Sequence, residues 1–305
     1  MKSDNNSSEM KGFVATIGMF DGVHRGHQFV LRQVVQTARE HELQSLVVTF
    51  DLSAFSTKPL LTTLEQKRRL ITAAGIDRVE VLTFNDELRQ LTARQFMEEV
   101  LQKQLHVSIL LVGYDNRFGH NRTEGFDDYV RYGQELGIEV QSLPPAPSQG
   151  KAAVSSSMIR QLLQQGNVSE AATALGRPYS ISGRVTHGEH IGTTMGFPTA
   201  NLVPEDEHQL IPATGAYAVR CGAHQGMMNI GTRPTFGQHQ QTLEVHLLGV
   251  SKDLYDQTLQ VAFVERLRSE RRFNSKEELQ AQLAKDAEQA KEILGTLNDK
   301  QQTEK

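Results

Sequence analysis

A change of texture near Gly176 constrains this chain more than any other feature. Upstream of it, short β-rich runs alternate with stretches whose apolar residues recur at helical spacing. Strands are predicted at Phe13–Phe20, Ser45–Phe50, Val79–Phe84, Ser108–Gly113 and Ile138–Leu143, with helices at Gln28–His41 and Leu64–Ala74. Thr92 and Gln95 form a capping-box pattern, in which each side chain satisfies a backbone N–H of the first turn, and open a helix toward Gln104. Such alternation favours a parallel sheet covered by helices on both faces, a doubly wound α/β domain. A proline-rich segment, Pro144–Pro147, precedes two short helical patterns at Ser156–Gln165 and Val168–Leu175. Downstream, β-rich runs at Tyr179–Val185, Gly215–Arg220, Met227–Ile230, Leu243–Leu248 and Gln257–Val264 are separated by Gly, Pro, Asn and Thr, the texture of a small antiparallel β-barrel. Ser275 and Glu278 form a second capping-box pattern, opening a C-terminal helix through about Leu294, and Asn298–Lys305 reads as a polar tail.

With 305 residues the chain exceeds the usual size of one core, so two domains are expected, 11–178 and 179–298, meeting near Arg177–Ile181. The formal charge of −4 offers no attraction to a phosphate backbone, which argues against nucleic acid as a partner. Cys221 is the only cysteine, so neither an intrachain disulfide nor a cysteine-built zinc site can form. Met1–Met10 lacks the apolar core of a signal peptide, and no apolar run approaches the ~20 residues of a membrane span. A cytoplasmic protein without membrane contact or an obligate protein partner is expected.

The first predicted strand runs into GMFDGVHRGHQ, Gly18–Gln28, and then into a helix. Gly18, Gly22 and Gly26 allow a sharp turn and close backbone approach, and the helix N-terminus presents unpaired N–H groups to phosphate. His24 and His27 can then aim donors at an α-phosphate as negative charge develops there. A lone histidine at a helix start is most often only a surface residue, but two flanking a glycine at a strand-to-helix turn reverse that expectation. The stretch resembles the HIGH-type nucleotidylyltransferases, and with Phe20, Asp21 and Gly22 it resembles bacterial FAD synthetases in particular. Two later blocks fit the resemblance. In VSSSMIR, Val154–Arg160, Ser155 and Ser156 begin a helix and Arg160 offers a fork of donors to a departing pyrophosphate, although serines there are usually caps. In VGYDNRFG, Val112–Gly119, Asp115 is placed at the carboxyl end of a strand, where open α/β sheets bind ligands, with a plain turn aspartate as the alternative. Asn116 stands where the family has phenylalanine. Leu52, Ser53 and Ala54 replace the family's Pro-His-Pro loop, which removes a rigid turn and a donor.

The second half has neither a Walker A sequence nor the protein-kinase signatures. GFPTAN, Gly196–Asn201, resembles the riboflavin kinase signature. Thr199 and Asn201 offer oxygens suited to Mg²⁺ and phosphate, with Gly196 and Pro198 shaping the loop around them, against the alternative of a polar hairpin. NIGTRPTF, beginning at Asn229, and Arg268 with Phe273 resemble flavin-side segments of that family. LEVHLL places Glu244 and His246 on one strand face, and Glu244 matches the family's general base.

The chain thus resembles the bacterial bifunctional riboflavin kinase/FAD synthetase family from about Gly12 to Leu294. The resemblance implies an α/β nucleotidylyltransferase domain followed by a kinase barrel with a C-terminal helix. It implies riboflavin, FMN, FAD and ATP as ligands, Mg²⁺ as cofactor and ATP as co-substrate. The residues alone reach only an ATP-using phosphate-transfer protein of two domains. Two other readings stay open: a riboflavin kinase whose first domain has lost adenylyl transfer, suggested by Leu52–Ala54, and a non-catalytic flavin-binding protein.

Overall fold

Strands buried on both faces are what a central parallel sheet demands, and the runs Val14–Ile17, Leu46–Val48 and Ile109–Val112 are buried that way. In the computed structural model, residues 12–51, 58–114, 116–147, 153–186, 197–235, 238–250 and 254–303 are described. Five parallel strands, β1 (Phe13–Ile17), β2 (Gln44–Asp51), β3 (Arg78–Thr83), β4 (Val107–Val112) and β5 (Glu139–Ser142), lie in the order β3-β2-β1-β4-β5. Alternate residues serve opposite faces. Val14 and Val47 pack with Leu31 and Val34 of α1 (Arg25–Glu40) and Ile71 of α2 (Leu64–Ala73). Ala15, Ile17, Leu46 and Val48 pack with Phe96, Met97 and Tyr129 from the other side.

The Thr92–Gln95 capping box forms, with Thr92 N–H to Gln95 Oε1 at 3.0 Å and Gln95 N–H to Thr92 Oγ1 at 3.2 Å. The helix it opens, α4 (Ala93–Phe96), continues as a π-helix through Met97–Gln104, and a short α3 (Asp86–Gln90) precedes it. Helix α5 (Phe126–Leu136) is not among the predicted elements, and it carries Gly133, a poor helix former, in its interior. That glycine is required by packing: a Cβ there would lie 2.4 Å from the Ile138 carbonyl.

The second half closes into a six-stranded barrel rather than the five runs expected. Its strands are β6 (Tyr179–Thr186), β7 (Ala200–Pro204), β8 (Gly215–Cys221), β9 (His224–Thr235), β10 (Gln238–Leu247) and β11 (Thr258–Ser269), ordered β10-β7-β6-β11-β8-β9. The extra strand, β7, begins inside the GFPTAN stretch and ends on Pro204, a residue that argues against a strand in sequence. A final helix, α8 (Lys276–Thr303), runs past Leu294 and takes up most of the expected polar tail. Its start is half a capping box: Ser275 Oγ accepts the Glu278 N–H at 3.1 Å, whereas Glu278 Oε2 accepts from Asn274, one residue earlier than expected. Ala287, Ala290 and Leu294 of α8 cover Ala218 and Met227 on the outer face of the barrel.

By contact the chain divides into two units, parting at Val154/Ser155. Helices α6 (Ser156–Gln165) and α7 (Val168–Leu175) go with the barrel, as does the segment Pro59–Leu61. Leu60 is hydrogen-bonded there by its N–H to His208 O (2.7 Å) and by its carbonyl to Leu210 N–H (2.8 Å). Among the described residues no helix is long and apolar enough to cross a membrane.

Candidate active sites

In the first unit the order β3-β2-β1-β4-β5 reverses direction between β1 and β4, the crevice where open α/β sheets bind ligands. Strand β1 ends at Ile17, earlier than predicted, because the chain turns with positive φ at Phe20, Gly22 and Val23. His24 is the N-cap of α1, and its Nδ1 accepts the His27 N–H at 3.3 Å, which leaves the His24 proton on Nε2. The two imidazoles stack with centroids 3.6 Å apart and planes 18° apart, and Phe20 meets His27 edge-on at 5.2 Å. Gly26 separates the histidines for a steric reason. A Cβ there would press on the His24 ring at 3.2 Å. Burial, then His24, then Lys67, hold the His27 imidazole well below the usual histidine range, so it is neutral at pH 7. Its buried Nδ1 has no hydrogen-bond partner among the described residues.

Asp21, expected on the nucleotide side, is buried with its Oδ1 accepting from the Thr62 N–H (3.2 Å) and hydroxyl (3.4 Å), while Thr62 Oγ1 accepts the Gly22 N–H at 3.2 Å. Its carboxylate therefore holds the turn. Gly18 faces the Phe20 ring, which a Cβ there would press at 3.0 Å. The departure at Asn116 also has a structural use, since its amide Nδ2 donates to the Ile17 carbonyl and ties the β4 loop to the end of β1. Asp115 and the Leu52–Ala54 departure lie outside the described residues. Ser155 caps α6 by accepting the Met158 N–H at 3.2 Å, and Arg160 Nε donates to the Pro59 carbonyl at 2.8 Å. By contact these residues and Ser156 belong to the second unit.

In the second unit the barrel register does what the sequence could not show. Thr186 pairs with Asn201, Asn201 with Glu244, Glu244 with Asn229, Asn229 with Ala216, and Ala216 with Arg268. Directly paired residues share a sheet face, so Asn201, Glu244, Asn229 and Arg268 line one row around the barrel. Asn201 stands on β7, a strand, where a loop position was expected. His246, two residues along, aims Nδ1 at the Pro198 carbonyl (2.8 Å) and meets Phe197 edge-on at 5.4 Å, which fixes the segment leading to Thr199. Gly196 lies outside the described residues.

Two residues of these sites were not picked out in sequence. Lys67 on α2 is buried against the His24 turn, and Asp286 on α8 binds Arg268 Nε at 2.9 Å, with the guanidinium also over Phe273 at 5.5 Å. Both sit on helix faces with ordinary polar spacing, and only long-range packing brings them to a site. Cys221 is buried with its thiol pushed up to about 12, which makes it a poor nucleophile.

Paired imidazoles at the switch point of a parallel sheet in one unit, and a carboxylate and amides in one row of a barrel in the other, define a two-unit protein of nucleotidyl and phosphoryl transfer. A family model described as FAD synthetase matches residues 6–158 and one described as riboflavin kinase matches residues 175–294. The bifunctional riboflavin kinase/FMN adenylyltransferase of Escherichia coli (strain K12) is 40% identical over 301 residues, covering 95% of both chains. That of Pseudomonas fluorescens is 38% identical over 299 residues, again covering 95% of each. A solved structure described as a macrolide-efflux protein from Streptococcus pneumoniae shares the architecture, with TM-score 0.82 and 30% identity over 91% of this chain and 93% of that one. The chain belongs to the bifunctional riboflavin kinase/FMN adenylyltransferase family.

Proposed function

We propose that the barrel phosphorylates riboflavin to FMN with ATP, and that the first unit transfers the adenylyl group of a second ATP to FMN, giving FAD. The observation that carries this reading is the barrel row, in which four residues nominated from four separate motifs share one register line. In the kinase step the Glu244 carboxylate accepts the proton of the ribityl 5′-hydroxyl as its oxygen attacks the γ-phosphorus, and ADP leaves. Asn229 and Arg268 serve the flavin side of that row.

The donor set near Asn201 suits Mg²⁺. Thr199 and Asn201 supply neutral oxygens beside one carboxylate, and no group of three or more His, Cys, Asp or Glu side chains among the described residues could hold a metal alone. That matches an ion held by few protein ligands and by substrate phosphates, where it offsets phosphate charge. In the second step a phosphate oxygen of FMN attacks the α-phosphorus of ATP and pyrophosphate leaves. His24, whose Nδ1 accepts the His27 N–H, donates through Nε2–H, and the neutral His27 beside it provides the second imidazole at the phosphate. Both steps depend on positioning and on charge stabilisation.

Purified protein incubated with riboflavin and MgATP, with products separated over time, tests the reading. FMN followed by FAD is expected. FMN alone would restrict the chain to the kinase reaction, and neither product would leave only flavin binding.

A further inference from the structure

A turn with positive φ at two non-glycine residues, Phe20 and Val23, persists only when its surroundings over-determine it. Thr62 supplies one tie, through Gly22 and Asp21. The other is on the opposite limb of the turn. Lys67 follows the Thr63–Gln66 capping box that fixes the start of α2, and it is only 7% exposed. So buried a lysine is costly unless its ammonium is bonded. Lys67 Nζ donates to the Phe50 carbonyl at 2.8 Å, near the end of β2, and to the Met19 carbonyl at 3.3 Å, inside the turn. Thr49 Oγ1 donates to the same Met19 carbonyl at 3.2 Å. Burial holds the Lys67 pKa below the usual lysine range, and the negative charges of Asp21 and Asp51 work against that lowering.

We propose that Lys67 is a positioning residue for adenylyl transfer: its ammonium ties the turn after β1 to the end of β2 and so fixes where His24 and His27 stand at the reacting phosphate. This deepens the reading of the first unit given above and rests on it. A lysine that only filled space would be replaceable by methionine, which matches its stem in length and shape. A lysine that positions through its two hydrogen bonds would not. Lys67 is also a positive charge that opposes protonation of His27, adding to the larger effect of burial. Its removal therefore has a second signature, a shift of the acid limb of the adenylyl-transfer rate to higher pH.

The full-length enzyme tests this with riboflavin phosphorylation in the same preparation as reference. Wild-type conversion of FMN to FAD comes first, since its absence defeats the underlying reading whatever Lys67 does. Lys67→Met should lower kcat for FAD formation about ten- to a hundredfold, the range in which small misplacements of reacting groups fall. KM for ATP and FMN should stay within about threefold, because the bonds lost touch neither substrate. The acid limb should move up in pH, and riboflavin phosphorylation should be unchanged. Lys67→Arg keeps the charge and donors for both carbonyls, and should restore the acid limb and most of kcat. A Lys67→Met enzyme within about twofold of wild-type kcat overturns the proposal. So does a slowed one whose acid limb has not moved and whose rate Lys67→Arg does not restore. If Lys67→Met abolishes the thermal transition of the first unit, Lys67→Arg alone decides: a wild-type acid limb with most of kcat upholds the proposal, and a folded variant slowed tenfold or more overturns it.

Discussion

The two sites are held in place by different kinds of structure. In the first unit the histidines hang on a turn whose conformation is fixed from outside, by Thr62 on Asp21 and Gly22 and by Lys67 and Thr49 on the Met19 carbonyl. In the barrel, Asn201, Glu244 and Asn229 sit on strands whose ladder fixes each position regardless of the side chain it carries. A turn couples chemistry to conformation, whereas a ladder separates them. Substitutions in the barrel row should therefore change chemistry alone, and substitutions in the turn should change both.

Glu244→Gln gives the largest expected effect and the cleanest test of the ladder. The amide keeps the shape of the carboxylate but removes its basicity, and a positioned base contributes about 10²- to 10⁴-fold. Riboflavin phosphorylation should lose that factor in kcat with little change in KM, while supplied FMN is still converted to FAD at the wild-type rate. Steady-state kinetics of both reactions on one preparation measure it. Near wild-type kcat would remove Glu244 from the mechanism.

His27→Ala should cost FAD formation about 10²- to 10³-fold, the usual effect of deleting one donor to a developing oxyanion, with phosphorylation of riboflavin intact. Equal loss of both activities in a folded variant would break the assignment. The same histidine predicts a pH dependence. Its folded pKa is depressed, first by burial, so the unfolded chain binds that proton more readily than the folded one. The contribution to stability is full above the ordinary histidine value of about 6.5 and is lost as pH falls below it toward the folded value. FAD formation, which uses neutral His27, should for its part keep its rate as pH falls through about 6.5, where an exposed histidine would already be half protonated. An acid limb at or above that value would contradict the buried, neutral imidazole.

Gly26→Ala probes the turn itself. The added methyl group meets the His24 ring at 3.2 Å, a contact that a shift of a few tenths of an ångström relieves, but the shift moves one of the stacked pair. We expect a loss of roughly tenfold in FAD formation, less than outright misplacement by 1 Å would cost. An unchanged rate would mean that the turn tolerates more movement than the four external ties suggest.

The same contrast decides what the sequence could reveal. The helices Ser156–Gln165 and Val168–Leu175 agree with the prediction at both ends, because apolar spacing and a following glycine mark them locally. Local signals also nominate His24, His27, Asn201 and Glu244. What they cannot supply is register: nothing in the separation of Asn201, Asn229 and Glu244 along the chain says that they face one another. Lys67 and Asp286 were missed for the same reason, since each looks like a solvated helix residue until a distant segment packs on it. Asp21 shows the converse, a residue nominated for a ligand whose described hydrogen bonds go to Thr62. The domain boundary moves too. The change of texture suggests a break after residue 178, but Ile159, Leu163, Val168 and Leu175 are buried in the unit that contains the barrel.

Asp286→Asn carries the smallest expected effect and asks whether the barrel row is as independent of its surroundings as the ladder suggests. Asp286 is 2% exposed, and both of its oxygens accept: Oδ2 from Arg268 Nε at 2.9 Å and Oδ1 from Gln282 Nε2 at 2.6 Å. Asparagine offers one acceptor oxygen in place of two, so it cannot keep both bonds unless the Gln282 amide turns over. Even then Arg268 faces a neutral partner in a dry site. Hydrogen bonds to charged groups contribute about 1.5–3 kcal/mol, and thermal unfolding of the second unit should register a loss of that order. Arg268 remains seated over Phe273 and paired through its backbone with Ala216, so riboflavin phosphorylation should slow by less than about tenfold, short of the ~10²-fold cost of outright misplacement. FAD formation from FMN should not change. A variant with wild-type stability and wild-type phosphorylation would show that α8 only covers the barrel and that Arg268 needs no partner there. A loss of phosphorylation as deep as that of Glu244→Gln would show the opposite, that the row depends on α8 as heavily as the histidine turn depends on its own external ties.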